Sequence, residues 1–228
     1  MRGRSALVWR CVGFFGLLIL VYELWFASRI MIFNWVEPKN TSFMRSYREQ
    51  TNNVPSYIWV DYKKISSQVK RAVIASEDTK FLHHQGFDWT SLRHAASQNV
   101  KEGKIVSGGS TITQQLAKNL FLSPSRSVWR KVQESIITIM LETILSKKRI
   151  LEIYLNVIEW GRGIYGIEAA AKHYFNQNAS NLSELQAAQL ATYIPSPRRY
   201  DLIGDTEQSL KKLKVIRGRM SDVNIPHD

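Results

Sequence analysis

A single cysteine, Cys11, in 228 residues excludes an intrachain disulfide and any cysteine-rich zinc site. Acidic side chains are scarce as well. Asp and Glu number 19 against 31 Lys and Arg, a formal net charge of +12. Such a balance points to anionic partners: nucleic acid, an acidic membrane surface or a phosphate-bearing substrate. The chain has no internal repeat and no low-complexity tract. It also has no G-x-x-x-x-G-K-[ST], which excludes a nucleotide-binding P-loop.

What is present begins with a long apolar run. Ala6 to Ala27 is interrupted only by Arg10 and Glu23. As a helix it spans about 33 Å, enough for a hydrocarbon core of about 30 Å. Arg2, Arg4 and Arg10 precede it, and Trp9, Tyr22 and Trp25 sit near its edges, as interfacial aromatics do. The arginines place the N-terminus inside the cell and the remainder across the membrane. No A-x-A site follows the run, which favours a retained anchor over a cleaved signal.

Residues 29–55 read as a stalk punctuated by Pro38, Asn52, Asn53 and Pro55, and Tyr57 to Val60 as one short strand. Beyond it the pattern is helical almost throughout. Ile65, Val69, Ala72 and Val73 share one helical face, Asp88 caps a second helix, and Ile112, Leu116, Ala117 and Leu120 define a third. Val128, Val132, Ile136, Ile139 and Met140 line one side of a long helix, and Ile150, Leu151, Tyr154 and Leu155 mark another. Thr111 with Gln114, and Ser183 with Gln186, fit capping boxes. Pro195 and Pro197 stop the Ser183 helix, and Leu210, Leu213 and Met220 suggest a last amphipathic one. The expected fold is mainly α: residues 1–28 the cytoplasmic N-terminus and anchor, 29–55 the stalk, 56–204 the main domain, 205–228 a C-terminal helix and tail.

Three constellations could carry chemistry. Glu77 ends an apolar helix, and a carboxylate partly shielded from water suits acid–base work; a solvated helix end is the plainer reading. His83 and His84 lack ligands at metal spacing, so a hydrogen bond across the loop suits them better. The glycine-rich entry Ser107 to Ser110 leads into a helix N-terminus, a natural anion site; Lys118 and Arg126 lie further along, and an ordinary capped surface helix competes equally. Arg130 and Lys131 precede Glu134 at i, i+4 and i, i+3. Cation before anion is the weaker order for helix stability, which faintly favours another purpose.

In this order the pieces resemble the glycosyltransferase family 51 domain of peptidoglycan synthesis. Glu77, Asp78, Phe81, His84 and Gly86 match its E-D-x-x-F-x-x-H-x-G signature. Gly109 to Asn119 is similar to its second motif, and Arg130, Lys131 and Glu134 match the third. Lys148 to Asn156 matches the fourth, and Gly163 to Ala170 resembles the fifth. Five ordered motifs make chance matching far less plausible than any one alone. Gln186 stands where relatives usually carry Glu. The transpeptidase domain of two-domain relatives needs K-[ST]-G, which is absent; Ser67-x-x-Lys70 and Ser209-x-x-Lys212 match its S-x-x-K by accident. The chain therefore resembles the stand-alone form, the monofunctional biosynthetic peptidoglycan transglycosylases.

The resemblance implies a lysozyme-like, two-lobed domain whose smaller lobe dips into the bilayer. It implies polymerisation of lipid II at the periplasmic side of the bacterial inner membrane. A GlcNAc hydroxyl attacks C1 of MurNAc with inversion, forming a β-1,4 linkage and releasing undecaprenyl diphosphate. Glu77 is then the base and Glu134 the second essential carboxylate. Ser110, Gln114, Lys118 and Arg126 contact the diphosphate and sugar, with Arg130 and Lys131 adding to the field. The role of Glu134 stays open between orienting these cations and holding a divalent ion, Mg or Mn. Partners are lipid II, the growing glycan, the membrane and other cell-wall synthesis and division proteins, with no nucleic acid. The rival readings are a membrane-anchored muramidase or lytic transglycosylase with the same helical lobe, and a non-enzymatic cell-wall adaptor.

Overall fold

The computed structural model describes residues 2–102, 109–125 and 127–227. It is mainly helical. α1 runs Arg2–Ile32 and α2 Ser42–Thr51. α3 covers Ser67–Glu77, α4 Trp89–Glu102 and α5 Ile112–Phe121. α6 is Val128–Ile144, α7 Lys147–Val157, α8 Ile167–Phe175, α9 Glu184–Tyr193, α10 Pro197–Ile203 and α11 Glu207–Arg219. Three short strands, β1 (Ser56–Tyr57), β2 (Glu159–Gly161) and β3 (Ile164–Tyr165), form one sheet in the order β1-β3-β2. β1 pairs parallel with β3, and β2 antiparallel.

The helix starts follow their caps. Ser66, Thr111, Ser127, Ser146, Ser183 and Thr206 each accept a backbone N–H of the first turn, which satisfies donors the helix itself cannot. Asp88 does the same for α4, accepting from Thr90 N and Ser91 N at 3.0 Å. Pro197 stops nothing: it occupies the first turn of α10, where its missing N–H costs no bond. The glycines at 161, 163 and 166, read as a turn, belong to the β2–β3 hairpin and the entry to α8.

Residues 29–55 are built into the domain. α1 continues past Ala27, and its apolar stretch is Val12–Ile32 with a mean hydropathy of 1.7. Most of that stretch is exposed, but Phe26 and Ile30 within it and Phe33 just beyond it are buried. Phe26 and Phe33 meet the ring of Phe121 with centroids 5.3 and 6.0 Å away. Burying such side chains is worth about 1.5–3 kcal/mol each, so the membrane helix is docked on the domain. Arg149 strengthens the joint, donating to Phe33 O at 2.7 Å and Val36 O at 3.1 Å. Met44 and Tyr47 of α2 enter the same core.

α6 presents an unexpected face. Its buried residues are Gln133, Glu134, Ile137, Thr138 and Leu141, whereas Val128, Trp129, Val132 and Ile139 are exposed. The apolar side read from the sequence therefore points outward over much of its length, and the core side carries a carboxylate. α5 packs between α6 and α7, and α3 between α9 and α11.

Gly86 shows how tightly the first motif is held. Its φ is +89°, and a Cβ there would lie 2.6 Å from Thr138 Cγ2. Thr138 is fully buried and donates to Glu134 O at 2.7 Å, so it has little freedom to move aside. Gly86→Ala is expected to cost about 2–4 kcal/mol of stability, measurable as a lower urea midpoint with unchanged slope.

Candidate active site

Glu77 is the last residue of α3, and its side chain is 11 % exposed. Ser76 Oγ lies 2.8 Å from Oε1, and Gln115 Nε2 donates to Oε2 at 3.0 Å. The amide of Gln115 is fixed in turn by the Tyr154 hydroxyl, which donates to Gln115 Oε1 at 2.8 Å. Burial, with the carboxylates of Glu77 and Asp78 nearby, pushes the Tyr154 phenol well above its ordinary value, so it stays a donor. Lys212 of α11 brings its ammonium to 3.7 Å from Glu77 Oε1. Neither Gln115 nor Lys212 was among the expected site residues. Lys212 had stood out only as part of a chance S-x-x-K.

Asp78 has a different task. Its Oδ2 accepts Ile112 N at 3.0 Å and its Oδ1 lies 2.8 Å from His84 Nε2. His84 Nδ1 accepts Gly86 N at 3.1 Å, leaving Nε2 to donate to Asp78. Thr111 Oγ1 then donates to Gly86 O at 2.7 Å. The first motif is thus a brace that joins the end of α3 to the start of α5. Asp78→Ala strands the buried Ile112 N–H and the His84 Nε2–H. A loss of about 2–4 kcal/mol is expected, again read from urea unfolding.

That brace corrects the expectation for the α5 N-terminus. Thr111 N donates to Gln114 Oε1, Ile112 N to Asp78, and Gln114 N to Thr111 Oγ1. The anion at this helix end is the protein's own Asp78, so the helix start is not an open seat for a diphosphate. Gly109 has a packing reason too: a Cβ there would lie 3.1 Å from Leu92 Cα of α4. Gln114, expected to touch substrate, is buried with its oxygen committed to the capping box. Ser110 is exposed beside it.

The cleft in front of Glu77 has a volume of about 530 Å³, with Ser76, Asp88, Ser110 and Arg219 among its walls. Lys118 lies one helical turn beyond Gln115 on the same face of α5. It is half-buried, its ammonium 5.6 Å from the ring centre of Phe43. Arg126 lies outside the described residues.

Glu134 is 3 % exposed. Arg130 holds its Oε2 at 2.8 Å, and Lys131 pairs with its Oε1. Both oxygens therefore face cations. Among the described residues no group of three or more His, Cys, Asp or Glu is placed to hold a metal ion. With a cation on each carboxylate oxygen, the Glu134 cluster does not fit a divalent ion held by the protein alone. Arg130 Nε is buried with no hydrogen-bond partner among the described residues.

A helix long and apolar enough to cross a membrane is docked on a helical domain, and the domain holds a braced carboxylate with Lys118 one turn beyond the side chain that fixes it. Residues 44–221 match the transglycosylase family, and the chain belongs to that family. A biosynthetic peptidoglycan transglycosylase of Laribacter hongkongensis is 51 % identical over 214 residues, covering 92 % of this chain and 94 % of that protein. Proteins with the same description from Nitrosospira multiformis and Methylobacillus flagellatus are 48 % and 47 % identical, covering 96 % of this chain and 97 % and 98 % of theirs.

Proposed function

We propose that the enzyme polymerises lipid II into glycan strands at the periplasmic face of the bacterial inner membrane. Glu77 is the base that takes the proton of the attacking GlcNAc hydroxyl. Lys118, Arg126, Arg130 and Lys131 stabilise the charge that builds on the leaving diphosphate. Such positive charge, fixed before reaction, is worth most where water is excluded. Glu134 orients Arg130 and Lys131, and Arg130 Nε, without a hydrogen-bond partner among the described residues, is left as a donor for an anion. Ser110 contacts the sugar from the cleft wall, and Gln114 acts by shaping the turn that carries it.

The observation that carries this reading is the orientation of Glu77. Ser76 and Gln115 offer hydrogens to its oxygens, and the Lys212 ammonium faces it at 3.7 Å, surroundings that suit a carboxylate able to accept a proton. A muramidase needs the same position to hold a proton and deliver it to a leaving sugar. Supporting it further, Gln115 fixes Glu77 while Lys118, one turn on, stands about 4.5 Å further along the axis. The test incubates the full chain in detergent with labelled lipid II, with and without magnesium. Polymer in both arms is the expected result. Absence of polymer in both arms, from folded protein, would refute the proposal.

A further inference from the structure

Where α1 joins the domain there is a second cavity, of about 320 Å³. It shares no lining residue with the Glu77 cleft. Three cations border it: Arg29 on α1, Lys39 in the following turn and Arg45 on α2, against one carboxylate, Glu37. The Arg29 guanidinium lies 5.8 Å from the ring centre of Trp25 and 5.9 Å from that of Phe33. Arg45 donates to Asn40 O at 3.4 Å. Among the described residues none of the three has a carboxylate partner. The remaining wall is mostly apolar, with Phe33, Leu120 and Phe121 among it, and Asn40 and Thr41 add two polar side chains.

The position gives this mixture a meaning. The apolar stretch of α1 ends at Ile32, so the cavity opens where the hydrocarbon of a bilayer gives way to head groups. Trp25 and Trp35 are exposed at that level, as interfacial aromatics are. Leu24, Met31 and Ile32 of α1 are exposed beside it, a surface suited to an acyl chain. We propose that this cavity binds an anionic glycerophospholipid of the phosphatidylglycerol type. The phosphate sits among Arg29, Lys39 and Arg45, and one acyl chain lies along α1. An excess of two positive charges suits a single phosphate. It disfavours a zwitterionic head, whose own ammonium group would meet the same cations. Bound there, the lipid fixes the depth and tilt of the domain over the membrane. The inference rests on the membrane-anchored reading of α1 and not on the identity of the polymerised substrate.

The test measures equilibrium binding of a fluorescent short-chain phosphatidylglycerol to the full chain in neutral detergent, by anisotropy. Saturable binding is expected, displaced by unlabelled phosphatidylglycerol but not by phosphatidylcholine or inorganic phosphate. Arg29→Gln, Lys39→Gln and Arg45→Gln combined should weaken it about tenfold or more. Glu77→Gln should bind as the parent does, which separates this site from the catalytic reading. Equal displacement by phosphatidylcholine, or unchanged affinity in the triple variant, overturns the proposal. So does stronger displacement by undecaprenyl diphosphate, which would make the cavity a product site. Should the triple variant not fold, Lys39→Gln alone decides: a loss of severalfold supports the site and unchanged affinity overturns it.

Discussion

Glu77→Gln is expected to slow glycan polymerisation by about 10³-fold, within the range that general-base catalysis supplies, while leaving the urea midpoint nearly unchanged. The amide keeps the shape of the carboxylate and one acceptor oxygen, so one of the bonds from Ser76 and Gln115 survives. It cannot accept the proton of an attacking hydroxyl. It also loses the charge that faces Lys212 at 3.7 Å, an interaction too long and too exposed on the lysine side to matter much for stability. A rate loss of this size corresponds to about 4 kcal/mol at the transition state. Initial rates at saturating lipid II, with unfolding curves of the same preparations, separate chemistry from folding. The neighbouring Asp78 behaves in the opposite way. Its carboxylate holds Ile112 N and His84, so its loss appears first in stability.

The second large effect is expected at the cations. Lys118→Ala and Arg126→Ala should each lower kcat/KM by about 10²–10³-fold, the usual consequence of removing a preorganised charge from a developing anion. The Lys118 ammonium sits over the Phe43 ring at 5.6 Å, a contact worth about 0.5–1 kcal/mol at an exposed site. Urea unfolding of the alanine variant, run beside the kinetics, separates a loss of fold from a loss of catalysis. If the lysine serves the leaving diphosphate, kcat falls with kcat/KM. If it only collects substrate, KM rises and kcat stays. Normal turnover in both variants would refute the diphosphate assignment.

Much of the fold was legible because it is written locally. The capping boxes at Thr111 and Ser183 were readable from residue type and spacing, and the structure has both. So was the Asp88 cap. α10 and the β2–β3 hairpin were not, because prolines and glycines mark an interruption without specifying the next element. Residues 29–55 look like linker in composition, yet Met44 and Tyr47 find partners far along the chain, and no local pattern reports that. α6 misled for a related reason: its exposed apolar side suits contact with lipid, a solvent that sequence periodicity cannot tell from a protein core.

The site divides the same way. The ion pairs of Glu134 were legible from helical spacing, as was the place of Glu77 at the end of an apolar helix. Gln115 and Lys212 were missed, since their meaning lies in a contact across 38 residues for the first and in the approach of α11 to α3 for the second. Gln115 had a signal, standing one turn before Lys118 on the helix already singled out. The α5 N-terminus misled because an anion does sit there, supplied by Asp78 rather than by a substrate.

One measurement bears most directly on the central claim: the parent enzyme offered labelled lipid II and finished glycan side by side, with polymer, undecaprenyl diphosphate and soluble muropeptides all quantified. The proposed mechanism predicts polymer from lipid II, with one undecaprenyl diphosphate released for every linkage made, and no product from finished glycan. Muropeptides released from finished glycan, with no polymer from lipid II, would contradict it.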